Sequence, residues 1–309
     1  MSALKDKYIN PLTDFGFKKL FGSEPNKILL IDFLNQILPD RHKIAELNYA
    51  RNEQMGVSEV DRNAIFDLYC IGESGERFIV EIQKAKQNYF KDRSIYYSSF
   101  PIQEQAQKGD WDYQLEPVYT VGILDFIFDE HKSDDELLHL VELKNQRCEI
   151  FFDKLKFIYI ELPKFRKKEQ ELDTHFDKWL YVFRHLSQLQ DRPRQLQDKI
   201  FQRLFEAAEI AKFSSKEREA YEESLKYYRD MKNVVDTSRE EGIEEGIEQG
   251  IEQGIEQGIE EKTLEVARKM KSNNESVEKI IEYTGLTKQQ IESTPKSQYW
   301  GISPPFIGF

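Results

Sequence analysis

Cysteine and long apolar runs are scarce in this sequence. Only two cysteines, Cys70 and Cys148, occur in 309 residues, which favours small buried hydrophobes in a reducing compartment over a disulfide framework. No stretch of about 18 apolar residues is present, and the first residues lack the apolar core of a signal peptide. We therefore expect a cytoplasmic protein with no membrane partner.

Closely spaced metal ligands and an excess of positive charge are also missing. The five histidines are scattered, and no Cys/His group has the spacing of zinc ligands. The formal net charge of −12 argues against a protein that coats nucleic acid nonspecifically. Local binding stays open, because much of the acid lies within 240–261, whereas Lys and Arg are frequent in 84–93 and 164–168. Those two basic segments are either polyanion contacts or solvated helix faces.

Aromatic residues are plentiful, with 21 Phe and 15 Tyr, so the chain can build a sizeable core. Apolar spacing predicts helices before and after a group of strands, and this order predicts an α/β or α+β core followed by a helical region. The predicted helices are 24–38, 86–108 (with Pro101 as a kink or break), 168–190, 196–212 and 216–236. The predicted strands are 44–53, 64–84 as a hairpin, 117–128 as a buried central strand, 137–151 and 156–162.

The most informative segment is 64–84, which predicts a β-hairpin. Its flanks are rich in Ile, Phe, Tyr and Val, and two glycines mark the turn. If the loop centres on Ser74, Asp67 lies directly opposite Glu81. Side chains alternate between the faces of a strand, so Glu81 and Gln83 project from the same face as Asp67. The opposite face is then continuously apolar and consists of Phe66, Leu68, Cys70, Phe78, Val80 and Ile82.

Two carboxylates and an amide therefore converge on one face of an otherwise buried hairpin. Oxygen ligands of this kind suit Mg²⁺, which commonly takes one or two carboxylates and keeps several waters. The pattern predicts a divalent-metal site at Asp67 and Glu81. The alternative interpretation is a solvated hairpin face that holds no ion.

An internal repeat with a period of four follows the helical segments. Its units are Gly-Ile-Glu-Gln or Gly-Ile-Glu-Glu between Gly242 and Glu261. Each unit drifts by roughly 40° around a helix, so no straight apolar stripe forms. Every glycine costs on the order of 1 kcal/mol relative to Ala, and glutamates four residues apart repel each other. The repeat is therefore either an extended helix that needs a partner helix or a semi-flexible acidic linker.

Residues 262–294 predict a last small helical unit. Ser276 can cap one short helix that stops at Gly285, and Thr287 can cap another. Two short helices joined by a tight turn are similar to a helix-turn-helix, although a small packing or interaction module has the same pattern. Homo-oligomer formation through the repeat and these helices is a further expectation. No role is predicted for residues 295–309.

Several segments, taken in order, match one known family. They are PLTDFGFKKLFG (Pro11 to Gly22), Asp67 followed by Glu81-Ile82-Gln83, DRSIYYSS (Asp92 to Ser99), Gly109, Tyr113, PVYTVGIL (Pro117 to Leu124) and EYTGLTKQQIES (Glu282 to Ser293). This set resembles the PD-(D/E)XK nuclease family transposases, also called recombination-promoting nucleases, over most of residues 1–294. Two departures from the parent superfamily stand out: Phe66 replaces the Pro before the acid, and Gln83 replaces Lys, a change that is common in this family.

The resemblance implies an α/β fold with a restriction-endonuclease-like core, in which helices flank a mixed sheet. A helical region and an extended Gly-Ile-Glu repeat helix would follow that core. It also implies a metal-dependent hydrolase that cuts phosphodiester bonds in DNA, with Asp67 and Glu81 holding Mg²⁺ and Mn²⁺ as a substitute. Gln83 would orient a water or a ligand carboxylate, since a neutral amide cannot act as a general base.

Residues near both ends of the hairpin are further candidates for this site. Asp14 is either an additional acid or, with Thr13, a helix N-cap. Lys18 either contacts DNA phosphate or is simply exposed. Lys84 follows Gln83 directly and is a further candidate for binding DNA, although strand alternation predicts that it points to the opposite face.

Arg93 and Tyr97 lie one helical turn apart in the helix predicted after the hairpin. This spacing lets both side chains face the same cleft. A DNA-phosphate contact for Arg93 competes with an internal salt bridge.

Three functions are compatible with these features. The first is an active Mg²⁺-dependent DNA endonuclease linked to transposition, recombination or mobile-element defence. The second is a catalytically degenerate protein of the same fold that binds DNA or protein and self-associates, and the third is a restriction-type enzyme with fixed sequence specificity. The predicted domains are a nuclease-like core (1–165), a helical subdomain (166–238), the repeat (239–261), a small helical module (262–294) and a tail (295–309).

Overall fold

The structure, a computed structural model, describes residues 6–38, 43–50, 53–54, 64–106 and 112–295. The chain divides into two compact units, 1–235 and 236–309. No helix in the described ranges combines the length and the apolar character that crossing a membrane requires. The predicted tail after residue 295 and Gly109 lie outside the described residues.

The first unit is built on a mixed sheet. In the described ranges its strands are β1 Leu47–Tyr49, β2 Glu53–Gln54, β3 Ala64–Ile65, β4 Leu68–Gly72, β5 Arg77–Gln83, β6 Val118–Leu124, β7 Leu138–Lys144 and β8 Ile150–Glu161. Six of them form one sheet in the order β1-β4-β5-β6-β8-β7, and β2 pairs with β3 separately. The pairs β5–β6 and β6–β8 are parallel, and the other neighbours in the large sheet are antiparallel.

The apolar sequence of β6 explains why this strand lies in the centre of the sheet. Every residue of β6 is buried, which is the pattern of a strand that is covered on both faces. The antiparallel strands β1 and β4 extend the sheet on one side, and β7 extends it on the other. The carboxyl ends of β5, β6 and β8 therefore share one edge, where side chains of different chain segments meet.

Helices cover both faces of this sheet. The helices of the first unit are α1 Asp14–Phe21, α2 Lys27–Ile37, α3 Phe90–Glu104, α4 His175–His185, α5 Lys199–Ala208 and the first part of α6 Ser215–Ser272. Helices α1, α2, α4 and α5 pack against each other and against one face, where Phe21, Phe33 and Trp179 form part of the main hydrophobic core. Buried Tyr221 ties α6 to the N-terminal segment, because its hydroxyl accepts a hydrogen bond from the Asn10 amide at 2.8 Å.

Helix α3 lies on the opposite face of the sheet. Its first residue, Phe90, is buried with Leu124 and Tyr159, and farther along α3 Tyr97 and Phe100 pack on Tyr69 and Ile79. The helix is shorter than the predicted 86–108, and Pro101 lies inside its last turn. The polar face of the hairpin is therefore covered, rather than open to solvent.

One residue of the predicted apolar face lies on the other side. Leu68, Cys70, Phe78 and Val80 belong to the main core, as predicted. Phe66 instead packs with Tyr69 and Ile79 on the α3 side. The prediction for Phe66 is wrong because the chain bends at Asp67, between β3 and β4, and the alternation of side chains does not continue through a bend.

The predicted α/β class, with a mixed sheet flanked by helices, is confirmed. The differences lie at element ends. The predicted strand 44–53 consists of two short strands, β1 and β2, in separate sheets. The predicted helix 168–190 begins only at His175, where Thr174 accepts a hydrogen bond from the Asp177 amide and forms the N-cap.

The second unit contains the rest of α6, followed by α7 Val277–Thr284 and α8 Lys288–Ser293. The helix α6 includes the Gly-Ile-Glu repeat, whose isoleucines are all more than half exposed. A β-carbon added to any of the repeat glycines would meet no atom within 4 Å. The repeat therefore has no packing partner among the described residues.

The end of the second unit has a small core of its own. Ala267, Ile280 and Ile291 are buried together. Ser276 and Thr287 cap α7 and α8, and Gly285 ends α7 with a φ of 70° that favours glycine. The Lys271 ammonium donates to the carbonyl oxygens of residues 291, 292 and 294 at 2.7, 3.1 and 2.7 Å, which satisfies the last carbonyls of α8.

Candidate functional site

The pairing of β4 with β5 places two acids opposite each other. Leu68 pairs with Val80, so the same register puts Asp67 across from Glu81. Asp67 occupies the bend before β4, and Glu81 lies within β5. Beyond Glu81 the sheet continues to Gly122 of β6, and Glu81 lies close to the carboxyl end of β5, near the edge that the parallel strands share.

Asp67 is half-buried and is held by the backbone. Its Oδ2 accepts a hydrogen bond from the Ile82 amide at 2.7 Å. Burial raises the pKa of Asp67, the Ile82 hydrogen bond opposes that shift, and Asp14 raises the pKa further, while Lys18 and Lys84 lower it. These interactions show that groups from α1 and from the end of β5 lie within electrostatic reach of Asp67.

Glu81 is more strongly perturbed than its neighbour. Its side chain is buried, and the pKa rises to about 7 because of burial first and the charge of Asp67 second, with Arg93 acting in the opposite direction. Two buried carboxylates that face each other repel when both are ionised. A bound cation would remove that repulsion, so the electrostatics of the pair fit a metal ion.

The Gln83 amide is fixed by two hydrogen bonds. Its Nε2 donates to the Ala85 carbonyl at 2.8 Å, and its Oε1 accepts from Arg93 Nη2 at 2.6 Å. Gln83 is also buried. The position that carries Lys in the parent superfamily therefore holds an arginine from α3 in place.

Arg93 brings a positive charge to the acids from α3. Its guanidinium also bonds the side-chain oxygen of Gln87, and it lies 5.5 and 5.7 Å from the ring centroids of Phe90 and Tyr97. Among the described residues its Nε is buried and has no hydrogen-bond partner. The two acceptors of the guanidinium are neutral amides, which do not cancel its positive charge. That charge lowers the pKa of Glu81.

Tyr97 and a tyrosine that the sequence analysis did not select lie close to Glu81. Burial raises the pKa of Tyr97, and Glu81 raises it further. Tyr159 of β8 is buried, with a pKa raised by burial and by Glu81. Tyr159 pairs with Gly122, and a β-carbon on that glycine would lie 2.9 Å from the tyrosine ring. The absent side chain at position 122 therefore leaves room for the ring beside Glu81.

The N-terminal candidates also lie near Asp67. Thr13 forms the N-cap of α1, since its hydroxyl accepts from the Gly16 amide at 3.0 Å. Asp14 is not the cap; its carboxylate pairs with the half-exposed Lys18 ammonium at 2.8 Å. Asp14 therefore presents an acid, already paired with a lysine, within electrostatic reach of Asp67.

Lys84 lies within electrostatic reach of Asp14 and Asp67. Burial lowers its pKa, while Asp14 and Asp67 raise it. Its ammonium lies 5.0 Å from the centroid of the Tyr227 ring. The residue follows the end of β5, where alternation no longer fixes the direction of a side chain.

Asp125 is a further acid at this edge that sequence reasoning missed. Its amide donates to the Gln83 carbonyl at 2.9 Å, and its Oδ2 accepts from the Tyr228 hydroxyl at 2.8 Å. The available signal was its position directly after the apolar strand β6, because acids that follow parallel strands collect at one sheet edge.

Comparison with known proteins gives one result. The family model of the PD-(D/E)XK nuclease family transposases matches residues 11–238. Neither the curated proteins nor the solved structures contain a match to the chain. The matched range covers the sheet, the hairpin acids and the helices on both faces, and it supports a nuclease-type function. The chain belongs to the PD-(D/E)XK nuclease family transposases.

Proposed function

We propose that the protein is a metal-dependent DNA endonuclease whose site is the hairpin pair Asp67 and Glu81. The observation that carries this proposal is the electrostatics of the pair. Both acids are buried far enough to raise their pKa values, and the charge of Asp67 raises the pKa of Glu81 further. Burying an uncompensated carboxylate is costly, so a position that keeps two of them is suited to a cation.

The donor set fits a hard divalent ion. Carboxylate oxygens are the ligands that Mg²⁺ and Mn²⁺ prefer, and PD-(D/E)XK nucleases generally use divalent metals. Asp67 and Glu81 would hold the ion, with Asp14 as an additional acid within electrostatic reach. When bound, such an ion polarises the scissile phosphate and lowers the pKa of a coordinated water.

The surrounding cations suit a polyanionic substrate. Arg93 lowers the pKa of Glu81, and Lys18 and Lys84 lower the pKa of Asp67. Arg93 presents a guanidinium that is oriented by Gln83 and Gln87, and guanidinium groups bind phosphate in a defined geometry. Gln83 thus acts as a positioning residue for Arg93, and Tyr97 lies within electrostatic reach of Glu81 on the same helix as Arg93.

The test is plasmid nicking by the full-length protein with Mg²⁺, with Mn²⁺ or with EDTA. Asp67→Ala and Glu81→Gln should each lower the cutting rate by more than about 10³-fold, as expected for the loss of a group that holds the metal. Glu73→Gln is the matched control, because Glu73 is an exposed acid in the turn of the same hairpin.

A second readout separates metal binding from cutting. Calorimetric titration with Mn²⁺ should show binding to the wild-type protein and to Glu73→Gln, but much weaker binding to Asp67→Ala. Equal cutting by Asp67→Ala and the wild type would contradict the proposed site. Metal binding without any cutting would favour a degenerate protein.

The degenerate alternative is favoured by one observation, the neutral Gln83. The amide cannot supply the positive charge or the base that Lys offers, and both its bonds are internal. On this hypothesis the protein binds DNA or protein and self-associates through the repeat and the C-terminal helices. Truncation after Val235 tests it: unchanged cutting and unchanged oligomer size would remove its main support.

The proposed biological settings are transposition, recombination or mobile-element defence. They rest on family membership. A fixed recognition sequence would appear as discrete fragments from a plasmid of known sequence, whereas cutting without fixed specificity would give a smear.

A further inference from the structure

Two histidines and a glutamate meet at the edge of the sheet, among residues that the nuclease site does not use. His131 Nδ1 lies 3.1 Å from Glu161 Oε1, and His139 Nε2 lies 3.2 Å from Glu161 Oε2. The two imidazole rings stack with their centroids 3.9 Å apart. Each residue offers one ligand atom, and these atoms lie within 4.8 Å of one another.

Different segments supply the three residues. Glu161 is the last residue of β8, His139 lies in the neighbouring strand β7, and His131 lies in the connection between β6 and β7. In the sheet, β8 runs between β6 and β7. The strand order thus brings together histidines that are only scattered in the sequence.

The Glu161 carboxylate is fully buried and held by further contacts. The Phe128 amide donates to Oε1 at 2.7 Å, and the Lys164 ammonium lies 2.9 Å from Oε2. Lys164 is itself anchored to the Asp134 carboxylate at 2.6 Å and to the Glu136 carbonyl at 2.7 Å. Outer contacts of this kind orient a carboxylate that binds a metal.

The two histidines also face an open space. They line a cavity of about 790 Å³ together with apolar side chains, among them Leu138, Leu140 and Phe157. Lys91 and Tyr159 lie at the same cavity. A ligand group or a water at a metal would therefore have room on the side of the two imidazoles.

We propose that His131, His139 and Glu161 bind one divalent transition-metal ion of the zinc type, with a coordination position open toward this cavity. Two imidazoles and one carboxylate form a common three-ligand zinc set that leaves a fourth position free. Imidazole suits zinc and its neighbours in the first transition row, whereas Mg²⁺ prefers oxygen.

A bound metal ion would replace the protons shared between the two imidazoles and the Glu161 carboxylate. In the structure the imidazole nitrogens and the Glu161 oxygens are within hydrogen-bond distance of each other, and histidine must be deprotonated at the nitrogen that binds a metal. The competing interpretation is a metal-free network in which Lys164 and the two histidines neutralise Glu161. The two interpretations differ in zinc affinity.

The first experiment titrates the full-length protein, stripped with EDTA, with Zn²⁺ alone. The expected result is one tightly bound zinc that persists in the double variant Asp67→Ala, Glu81→Gln. His131→Gln and His139→Gln should each weaken binding by more than about 100-fold, since even outer-contact changes cost about 10- to 100-fold. His185→Gln is the matched control, because His185 packs on Tyr181 away from this cluster.

Circular dichroism establishes that each variant is folded. Equal zinc affinity in the two cluster variants and the wild type would overturn the proposal. Loss of zinc only in the Asp67→Ala, Glu81→Gln protein would also overturn it, because the ion would then belong to the hairpin acids.

A second experiment needs no variant. X-ray absorption at the zinc edge of the zinc-loaded wild-type protein should show two imidazole ligands. A shell of oxygen atoms alone would overturn the proposal, whether or not the histidine variants fold.

Discussion

Glu81 and Glu161 are two buried glutamates on parallel strands of one sheet, and their pKa values shift in opposite directions. Burial and the charge of Asp67 raise the pKa of Glu81 to about 7. Burial also raises the pKa of Glu161, but the Phe128 amide, Lys164 and two histidines outweigh it, so the pKa falls below its ordinary value. Burial alone therefore does not decide the charge of an acid; the hydrogen bonds and charges that its neighbours supply do.

The difference separates two kinds of site. At Glu81 the largest charge effect comes from another acid, so an added cation would lower the free energy of the folded protein. At Glu161 a lysine already supplies positive charge, and an added ion has to displace protons instead.

The largest effect is expected for Glu161→Gln. The change removes the buried carboxylate partner of the Lys164 ammonium, which is only 5% exposed, and leaves it with the half-exposed Asp134. Removing one partner of a buried ion pair typically costs about 3–5 kcal/mol, so the free energy of unfolding in EDTA should fall by about that amount. Urea denaturation measures it, with Glu136→Gln, an exposed acid nearby, changing stability by less than about 0.5 kcal/mol. A loss below about 1 kcal/mol would show that Glu161 is not paired as described.

Glu81→Gln is expected to raise the free energy of unfolding in EDTA, whereas Glu161→Gln lowers it. The folded-state pKa of about 7 lies above the ordinary value of 4.5, so the folded protein binds a proton more tightly than the unfolded chain. At pH 8 the ionised carboxylate destabilises the fold, by on the order of 3 kcal/mol at about 1.4 kcal/mol per pKa unit. The neutral amide should remove that cost and raise the free energy of unfolding.

The pH dependence gives the matching control. The difference between Glu81→Gln and the wild type should shrink as the pH falls from about 7 to 4.5, because the wild-type carboxyl then takes up its proton in the folded state. A variant that is less stable than the wild type at pH 8 would contradict the comparison.

A smaller effect is expected for Gly122→Ala. The added β-carbon would lie 2.9 Å from the Tyr159 ring and 3.4 Å from Leu124, so the ring beside Glu81 has to move. Overpacking of this kind typically costs about 1–3 kcal/mol. Thermal unfolding measures the loss of stability. An unchanged midpoint would mean that the Tyr159 ring can move aside without a cost in stability.

The smallest effect is expected in the second unit, for Gly250→Ala. The new methyl group meets no atom within 4 Å, so only helix propensity acts. In a formed helix the change stabilises by up to about 1 kcal/mol, and far-ultraviolet circular dichroism should show greater helix content. No gain in helix content would favour the acidic-linker interpretation of the repeat.

The sequence predicted the hairpin well because its determinants are local. The turn centres on Ser74, and the register that follows places Asp67 across from Glu81. It failed for Phe66, where a bend interrupts the alternation of side chains. Periodicity predicts the direction of a side chain inside a helix or strand, and it no longer does so at the ends of these elements.

The histidine cluster could not be predicted in the same way. The spacing from His131 to His139 and Glu161 matches no short motif, because the ligands depend on β8 running between β6 and β7. Strand order is a long-range property, and a single sequence gives little access to it. The same holds for Tyr159, whose place beside Glu81 depends on the pairing of β5, β6 and β8.

The hydrogen bond between Gln83 and Arg93 means that positions 83 and 93 cannot be exchanged independently. Restoring the superfamily lysine at position 83 would remove one of the two acceptors of Arg93 and set two like charges side by side. The single reversion Gln83→Lys should therefore impair the protein, whereas the same lysine could be accommodated once Arg93 is neutral. The residues permitted at positions 83 and 93 therefore depend on each other. The order in which the two substitutions arise decides whether the protein with only one of them is functional.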